Sequence, residues 1–125
     1  MVTTTKYKSS KVELDGHKFD SKLEANIYKR IRELGLPCML QPSYELQEKF
    51  KFGKHTIRPI SYIADFCVII DGMQYIIDAK GMETPVFKLK RKLFMHKYNK
   101  DIVCIKSVKQ FNLWYEGVKN ARSSN

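Results

Sequence analysis

Three observations predict an α/β (α+β) fold, a central mixed β-sheet flanked by helices. Residues 17–35, HKFDSKLEANIYKRIRELG, carry Leu23, Ile27, Ile31 and Leu34 at helical spacing, which makes one apolar stripe. Residues 61–80 hold two runs rich in β-branched and aromatic residues joined by Asp71-Gly72. Asp-Gly between such runs is among the strongest hairpin signals, because a type I′ turn needs positive φ at both central positions. Residues 84–100 then return to a helical pattern before a further β-run, DIVCIKSV. The order is helix, several strands, helix, strand, helix, with no internal repeat or linker. One domain spanning 1–125 is expected, long enough to bury a modest core.

Taken in order, residues 1–11 are polar and basic and read as a flexible arm. Asp20 or Ser21 can cap the first helix, Gly35 ends it, and Pro37 forbids its continuation. CMLQPSYELQEKF reads as one or two strands interrupted by Pro42, and GKHTIRP as a loop. ISYIADFCVII and MQYIIDAK are the two arms of the hairpin. TPVFKLKRKLFMHKYNK is a helix with Thr84 as cap and Pro85 suited to its first turn, and Val86, Leu89, Leu93 and Phe94 are its expected buried side. KQFNLWYEGVKNARSSN is expected to begin as a short helix and to fray from about 118 to 125.

Composition narrows the function classes. Hydrophobic residues at 43% and charged residues at 29% fit a globular protein rather than a disordered one. No apolar run approaches the roughly 18–20 residues that cross a bilayer. The N-terminus lacks the apolar core of a signal peptide, so a location in the cytoplasm of whatever cell makes the chain is expected. Cys38, Cys67 and Cys104 are widely spaced and read as free thiols, and the three histidines show no metal-ligand spacing. Twenty-three Lys and Arg against thirteen Asp and Glu leave a net charge of +10, which points to a polyanion partner, nucleic acid ahead of a membrane surface. No membrane partner and no small-molecule substrate is expected.

The hairpin contains the chemistry. With a two-residue turn at Asp71-Gly72, facing residue numbers sum to 143, which places Asp65 opposite Asp78. Lys80, two residues on, points to the same face. Tyr62, Ala64, Phe66, Val68 and Ile70, with Met73, Tyr75 and Ile77, are expected on the other, core-facing side. Two unit charges about 5 Å apart at an effective dielectric near 20 repel by roughly 3 kcal/mol before screening. A bound divalent cation, a raised carboxyl pKa or the Lys80 ammonium can offset that. Two carboxylates with the main-chain carbonyl of Ala79 form a hard-oxygen site suited to Mg²⁺ or Mn²⁺. Asp-x-Lys by itself carries nothing, since about two (D/E)-x-K triplets arise by chance and two occur. Its place at a strand end, opposite another aspartate, is what distinguishes the second.

These residues together resemble the PD-(D/E)XK nuclease superfamily: a helix carrying a glutamate, a strand ending in aspartate and a strand ending in (D/E)-x-K. Here those are FDSKLEANIYKRI, SYIADF and YIIDAKG. More narrowly the chain resembles small phage endonucleases that resolve branched DNA, which share F-x-S-x-L-E, Y-x-x-D-F and (D/E)-x-K-G. The resemblance runs from about Gly16 to Tyr98, with Ala64 where the superfamily's name has proline and Asp78 in place of the commoner glutamate. It implies a restriction-endonuclease-like core and Mg²⁺-dependent hydrolysis of phosphodiester bonds. Asp65 and Asp78 would be metal ligands, Lys80 the catalytic lysine, and Glu24 a further acid reaching in from the helix. Glu24 also completes a capping-box pattern, Ser21-x-x-Glu24. Resolution of a Holliday junction needs two symmetric cuts, hence a homodimer.

Phosphate contacts are expected from the basic helix after the catalytic strand, through Lys88, Arg91 and Lys92. Further candidates are Arg58, Lys22 and the arm residues Lys6, Lys8 and Lys11. No base-reading motif is present, which favours recognition of DNA by its structure. A nicking or end-processing nuclease, and a basic DNA-binding protein without activity, are the alternatives.

Overall fold

The computed structural model describes residues 11–123. Lys6, Lys8 and the rest of the expected arm before Lys11 lie outside the described residues. The elements are β1 (Val12–Leu14), β2 (His17–Phe19), α1 (Lys22–Glu33), β3 (Cys38–Leu40), β4 (Ser43–Gln47), β5 (Phe50–Phe52), β6 (His55–Ile57), β7 (Ile60–Ile63), β8 (Phe66–Ile70), β9 (Met73–Ala79), α2 (Pro85–Tyr98), β10 (Ile102–Ile105) and α3 (Val108–Ser123). The architecture is mixed α and β, and the chain divides into two compact units, residues 37–104 and the segments on either side. No helix among the described residues is long and apolar enough to cross a membrane.

The first unit contains β1, β2, α1 and α3. Asp15 and Gly16, both at positive φ (53° and 78°), turn β1 back onto β2, so His17–Phe19 is strand where the sequence suggested the start of the helix. The same Asp-Gly signal that marks the later hairpin operates here. Ser21 caps α1, its Oγ accepting the Glu24 N–H at 3.1 Å. Gly35 (φ 69°) closes the helix, with the Leu36 N–H bonded back to the Ile31 carbonyl. Ile27 and Ile31 are buried as expected, joined by Ala25 and Tyr28, which packs on Phe19 with ring centroids 4.9 Å apart. α3 continues to Ser123, through most of the segment expected to fray. Phe111 is its buried anchor, and Asn112 accepts a 2.8 Å hydrogen bond from Arg30 Nε.

The second unit is built on a four-stranded mixed sheet in the order β10-β9-β8-β3, with β3 and β9 both antiparallel to β8. α2 forms the connection from β9 to β10. Its Thr84 cap accepts the Phe87 N–H, Pro85 opens its first turn, and Asn99 ends it at φ 54°. The expected buried side of α2 is corrected in part: Phe94 is buried and Leu93 partly so, as expected, but Val86 and Leu89 are 62% and 59% exposed and Phe87 is buried in their place. Phe87, Phe94 and Tyr98 define the inward face, because aromatic rings bury more apolar area than the valine and leucine competing for it. They pack with Leu46, Tyr62, Ala64, Cys67, Ile76 and Ile102 in one core.

Two strand assignments also change. GKHTIRP is not a loop, since Phe50–Phe52 and His55–Ile57 pair as a hairpin about Gly53 (φ 61°). ISYIADFCVII is not one strand: Ile60–Ile63 pairs with β4, whereas Phe66–Ile70 lies in the four-stranded sheet. The interruption at Ala64 and Asp65 shifts the alternation. Tyr62 and Ala64 therefore join Cys67 and Ile76 in the α2-side core, not Phe66, Val68 and Ile70 as predicted. Met73, expected in the core, is exposed beside the turn. None of the three cysteines forms a disulfide with a described residue.

Candidate active site

The site begins with a turn. Asp71 and Gly72 both adopt positive φ (50° and 82°), the type I′ geometry, and the two-residue loop fixes the pairing of β8 with β9. Observed partners run from Ile70↔Met73 to Phe66↔Ile77, each pair summing to 143 as predicted. Asp65 immediately precedes β8 and Asp78 is the penultimate residue of β9, so the register brings the two together.

Hydrogen bonds then lock them. The Ala79 N–H donates to Asp65 Oδ2 at 2.7 Å, and the Asp65 N–H donates to Asp78 Oδ1 at 3.0 Å. The Tyr62 hydroxyl donates to Asp78 Oδ2 at 2.6 Å, and Lys80 Nζ lies 3.5 Å from the same oxygen. The repulsion expected between facing carboxylates is thus offset by two backbone amides, a phenol and an ammonium, and hydrogen bonds to ionised groups are the strong ones. Asp78 is 2% exposed, so its alignment depends on these donors. Burial, and next the Asp78 carboxylate, push the Tyr62 phenol far above its ordinary value, which keeps it a donor.

Beside these groups opens a cleft of about 300 Å³ lined by Ser61, Tyr62, Lys80, Thr84, Phe87 and Lys90, among others. Lys80 stands over the Phe87 ring, 4.6 Å from its centroid. Lys90 Nζ donates to the Ser61 carbonyl at 2.8 Å, and an ammonium keeps two further donors after one bond. The cleft therefore presents two cations next to the carboxylate pair. Thr84 and Phe87 also place it at the N-terminal end of α2, where the helix dipole favours an anion.

Of the predicted site residues, Asp65, Asp78, Ala79 and Lys80 come together. Glu24 lies buried in the first turn of α1, in the other unit. Lys22, Arg58, Lys88 and Lys92 are exposed. Lys11 lies 3.8 Å from Asp20. Arg91 is committed within the chain: its Nε and Nη2 grip Asp101 at 2.8 and 2.9 Å, and Nη1 lies 3.7 Å from Glu83. Tyr62 and Lys90 were missed. Reading one unbroken strand put Tyr62 on the wrong face. Lys90 follows Phe87 by three residues and precedes Phe94 by four, so it falls on the inward face once the aromatic positions are used to orient α2.

Among the described residues, no group of three or more His, Cys, Asp and Glu is placed to hold a metal ion. The pair itself still suits a hard cation. A carboxylate offers about four acceptor sites. On Asp78, Oδ1 accepts from the Asp65 N–H and Oδ2 from Tyr62, with Lys80 forming an ion pair 3.5 Å from Oδ2, so Oδ1 keeps acceptor capacity. Mg²⁺ is commonly held by only one or two carboxylates, with water and substrate phosphate completing its shell.

The chain belongs to the protein family described as "Protein of unknown function (DUF1064)", whose pattern matches residues 4–113. That match includes every residue of the site just described. No curated protein and no solved structure matches the chain.

Proposed function

We propose that the protein is a metal-dependent DNA endonuclease of the PD-(D/E)XK kind, with residues 37–104 forming a restriction-endonuclease-like core. The observation that carries this reading is the hydrogen-bonded Asp65–Asp78 pair with Lys80 3.5 Å from Asp78, at paired strand ends beside a cationic cleft. Asp65, Asp78 Oδ1 and the Ala79 carbonyl would hold Mg²⁺, with Mn²⁺ as a substitute. Glu24 enters the set from the sequence resemblance alone. A cation bound there would polarise the phosphate and lower the pKa of a water. The chain's own residues position the rest. Tyr62 and the Asp65 amide hold the Asp78 carboxylate in one orientation, and Lys80 stabilises the negative charge that grows on the phosphate oxygens. Exposed Lys88, Lys92, Arg58 and Lys22 contact the backbone and set its position without reading sequence. The substrate is branched DNA, resolved by a homodimer that supplies two sites.

The competing reading is a DNA-binding protein without activity. What favours it is Asp78 itself, 2% exposed, with two hydrogen bonds and an ion pair within the chain, as a structural carboxylate would be. Cleavage of labelled linear duplex, single strand and four-way junction in Mg²⁺ or EDTA separates the two, with wild type compared to Asp78→Asn. Metal-dependent cutting of the junction, lost in the variant, supports the resolving nuclease. Equal cutting of all three substrates keeps the nuclease and removes the preference for branches. Binding without cutting in either metal leaves the competing reading.

A further inference from the structure

The hairpin of β5 and β6 leaves its aromatic side chains exposed. Every residue from Gln47 to Ile60 is exposed, and β5 and β6 pair only with each other. Two-stranded hairpins of this kind are marginal in water without a partner. Their register pairs Phe50 with Ile57, Lys51 with Thr56 and Phe52 with His55. Alternation therefore gathers Phe50, Phe52, His55 and Ile57 on one face and turns Lys51 to the other. Phe52 is 73% exposed and Phe50 42%. Lys49, Lys51, Lys54 and Arg58 stand against Glu48 alone, a net charge of +3 (four minus one) over residues 47–60. None of these four cations makes an ion pair with a described residue.

We propose that this hairpin binds unpaired bases of DNA. Phe50 and Phe52 stack on the bases, and the lysines and Arg58 lie along the flanking phosphates. Exposed aromatic rings bordered by cations are what a single strand requires, because every base has a π-face and every linkage a charge. A second copy of this chain fits less well, since it would set one +3 hairpin against another. In a duplex the bases are stacked on one another, so the rings find their partners only where pairing is interrupted, as at a branch. The inference rests on DNA as the partner of this chain, and not on its being cut.

The test is fluorescence anisotropy with labelled single strand, four-way junction and blunt duplex, all in EDTA so that nothing is cleaved. Wild type is compared with Phe50→Leu/Phe52→Leu, which keeps apolar bulk but removes both rings, and with Lys51→Gln/Lys54→Gln. The expected result is tighter binding of single strand and junction than of duplex. The double leucine variant should lose about tenfold or more on the unpaired substrates and little on duplex. The glutamine variant should weaken all three and reduce the slope of log K against log salt by roughly 0.7 per lost phosphate contact on single strand. Unchanged binding in both variants overturns the inference, as does a preference of wild type for blunt duplex. Sedimentation showing a dimer lost in the leucine variant, with DNA affinity intact, overturns it in favour of a subunit contact. If wild type binds none of the three substrates, this inference and the DNA reading fall together. Binding that follows the expected pattern without cutting in Mg²⁺ sinks only the catalytic reading.

Discussion

Tyr62 and Asp78 are sixteen residues apart in sequence and 2.6 Å apart at Oη and Oδ2. Tyr62 belongs to the β4–β7 pair and Asp78 to the four-stranded sheet, so this one bond ties two sheets together at the carboxylate pair. Both side chains are buried, which removes water as a replacement donor. The tyrosine is therefore a positioning residue for Asp78, in addition to being part of the core.

Tyr62→Phe should cost roughly 1–3 kcal/mol of stability, the usual effect of leaving a buried charged acceptor short of a donor. Urea unfolding measures this directly. The ring remains, so its packing with Phe87 and Phe94 is kept. Under the proposed function cleavage should fall with a larger effect on turnover than on DNA affinity, because the hydroxyl's partner is the Asp78 carboxylate. A stability change below about 0.5 kcal/mol would show that Asp78 is held without it.

Lys80→Met and Lys90→Met should separate chemistry from binding. Lys80 contacts Asp78 and its side chain is 29% exposed, so under the proposed function its loss would remove charge at the reacting phosphate. Single-turnover cleavage should drop by about 10²-fold or more with DNA affinity nearly kept. Lys90 forms no ion pair with a described residue and holds the Ser61 carbonyl from inside the cleft. Its loss should weaken DNA binding while saturating substrate restores most of the rate. The reverse pattern, with Lys90 controlling turnover, would show that the two roles are exchanged.

Much of this geometry was legible in the sequence, and the exceptions have physical causes. Asp71-Gly72 specifies its turn through backbone sterics alone, so the facing of Asp65 and Asp78 followed from counting. Tyr62 was misplaced because alternation holds only within one strand, and nothing in ISYIADFCVII announces that the chain changes sheets at Ala64. α2 was rotated because Val86, Leu89 and Leu93 also recur at helical spacing, and periodicity does not say which of two apolar stripes a sheet will cover. The second half of the β5–β6 hairpin, GKHTIRP, reads as a loop in the sequence because its turn, Gly53-Lys54, lies among charged residues that look solvated. They are solvated, and they are nevertheless strands. The mixed α and β class and the carboxylate pair came from local rules; the second layer around the pair came from tertiary packing.

The grip of Arg91 on Asp101 gives a pH signature away from the site. Hydrogen bonds from Arg91, opposed in part by burial, hold the Asp101 carboxyl below its ordinary value of 3.8. A carboxyl with a depressed folded pKa stabilises the native state above its unfolded pKa, and that contribution fades as pH falls through the folded value. Asp101→Asn should therefore be less stable than wild type near pH 7, and the difference should close as pH drops below about 4. With Asp101 half exposed, solvent screening limits the effect to about 0.5–1 kcal/mol. Thermal melts of the two proteins across pH 2.5–7 test it, and a gap that persists at the acid end would mean that charge is not its origin.

The last prediction concerns two changes at one turn, and it distinguishes register from stability. Gly72 adopts φ 82°, and a Cβ built there would meet nothing within 4 Å. Gly72→Ala therefore pays only the left-handed backbone penalty, roughly 1–2 kcal/mol, and leaves the pairing of β8 with β9 unchanged. Asp65 still faces Asp78, so cleavage below the melting temperature should be close to wild type. Inserting one glycine between Asp71 and Gly72 does something different. Either the extra residue is absorbed as a bulge in the loop, or the strands slip, and a slip by one residue turns the whole inward set of one strand outward. Burial of Ile76, Ile77 and Phe66 opposes the slip, so the bulge should win and the fold should survive. The bonds from Ala79 to Asp65 and from Asp65 to Asp78, 2.7 and 3.0 Å long, depend on the register being retained to the far end of the hairpin. Melting temperature and cleavage, measured on both variants, read the two effects separately. Alanine should lower stability and spare activity, whereas the insertion should retain activity only if the turn absorbs it. A folded insertion variant that has lost cleavage would locate the control of the carboxylate pair in a turn at the opposite end of the strands.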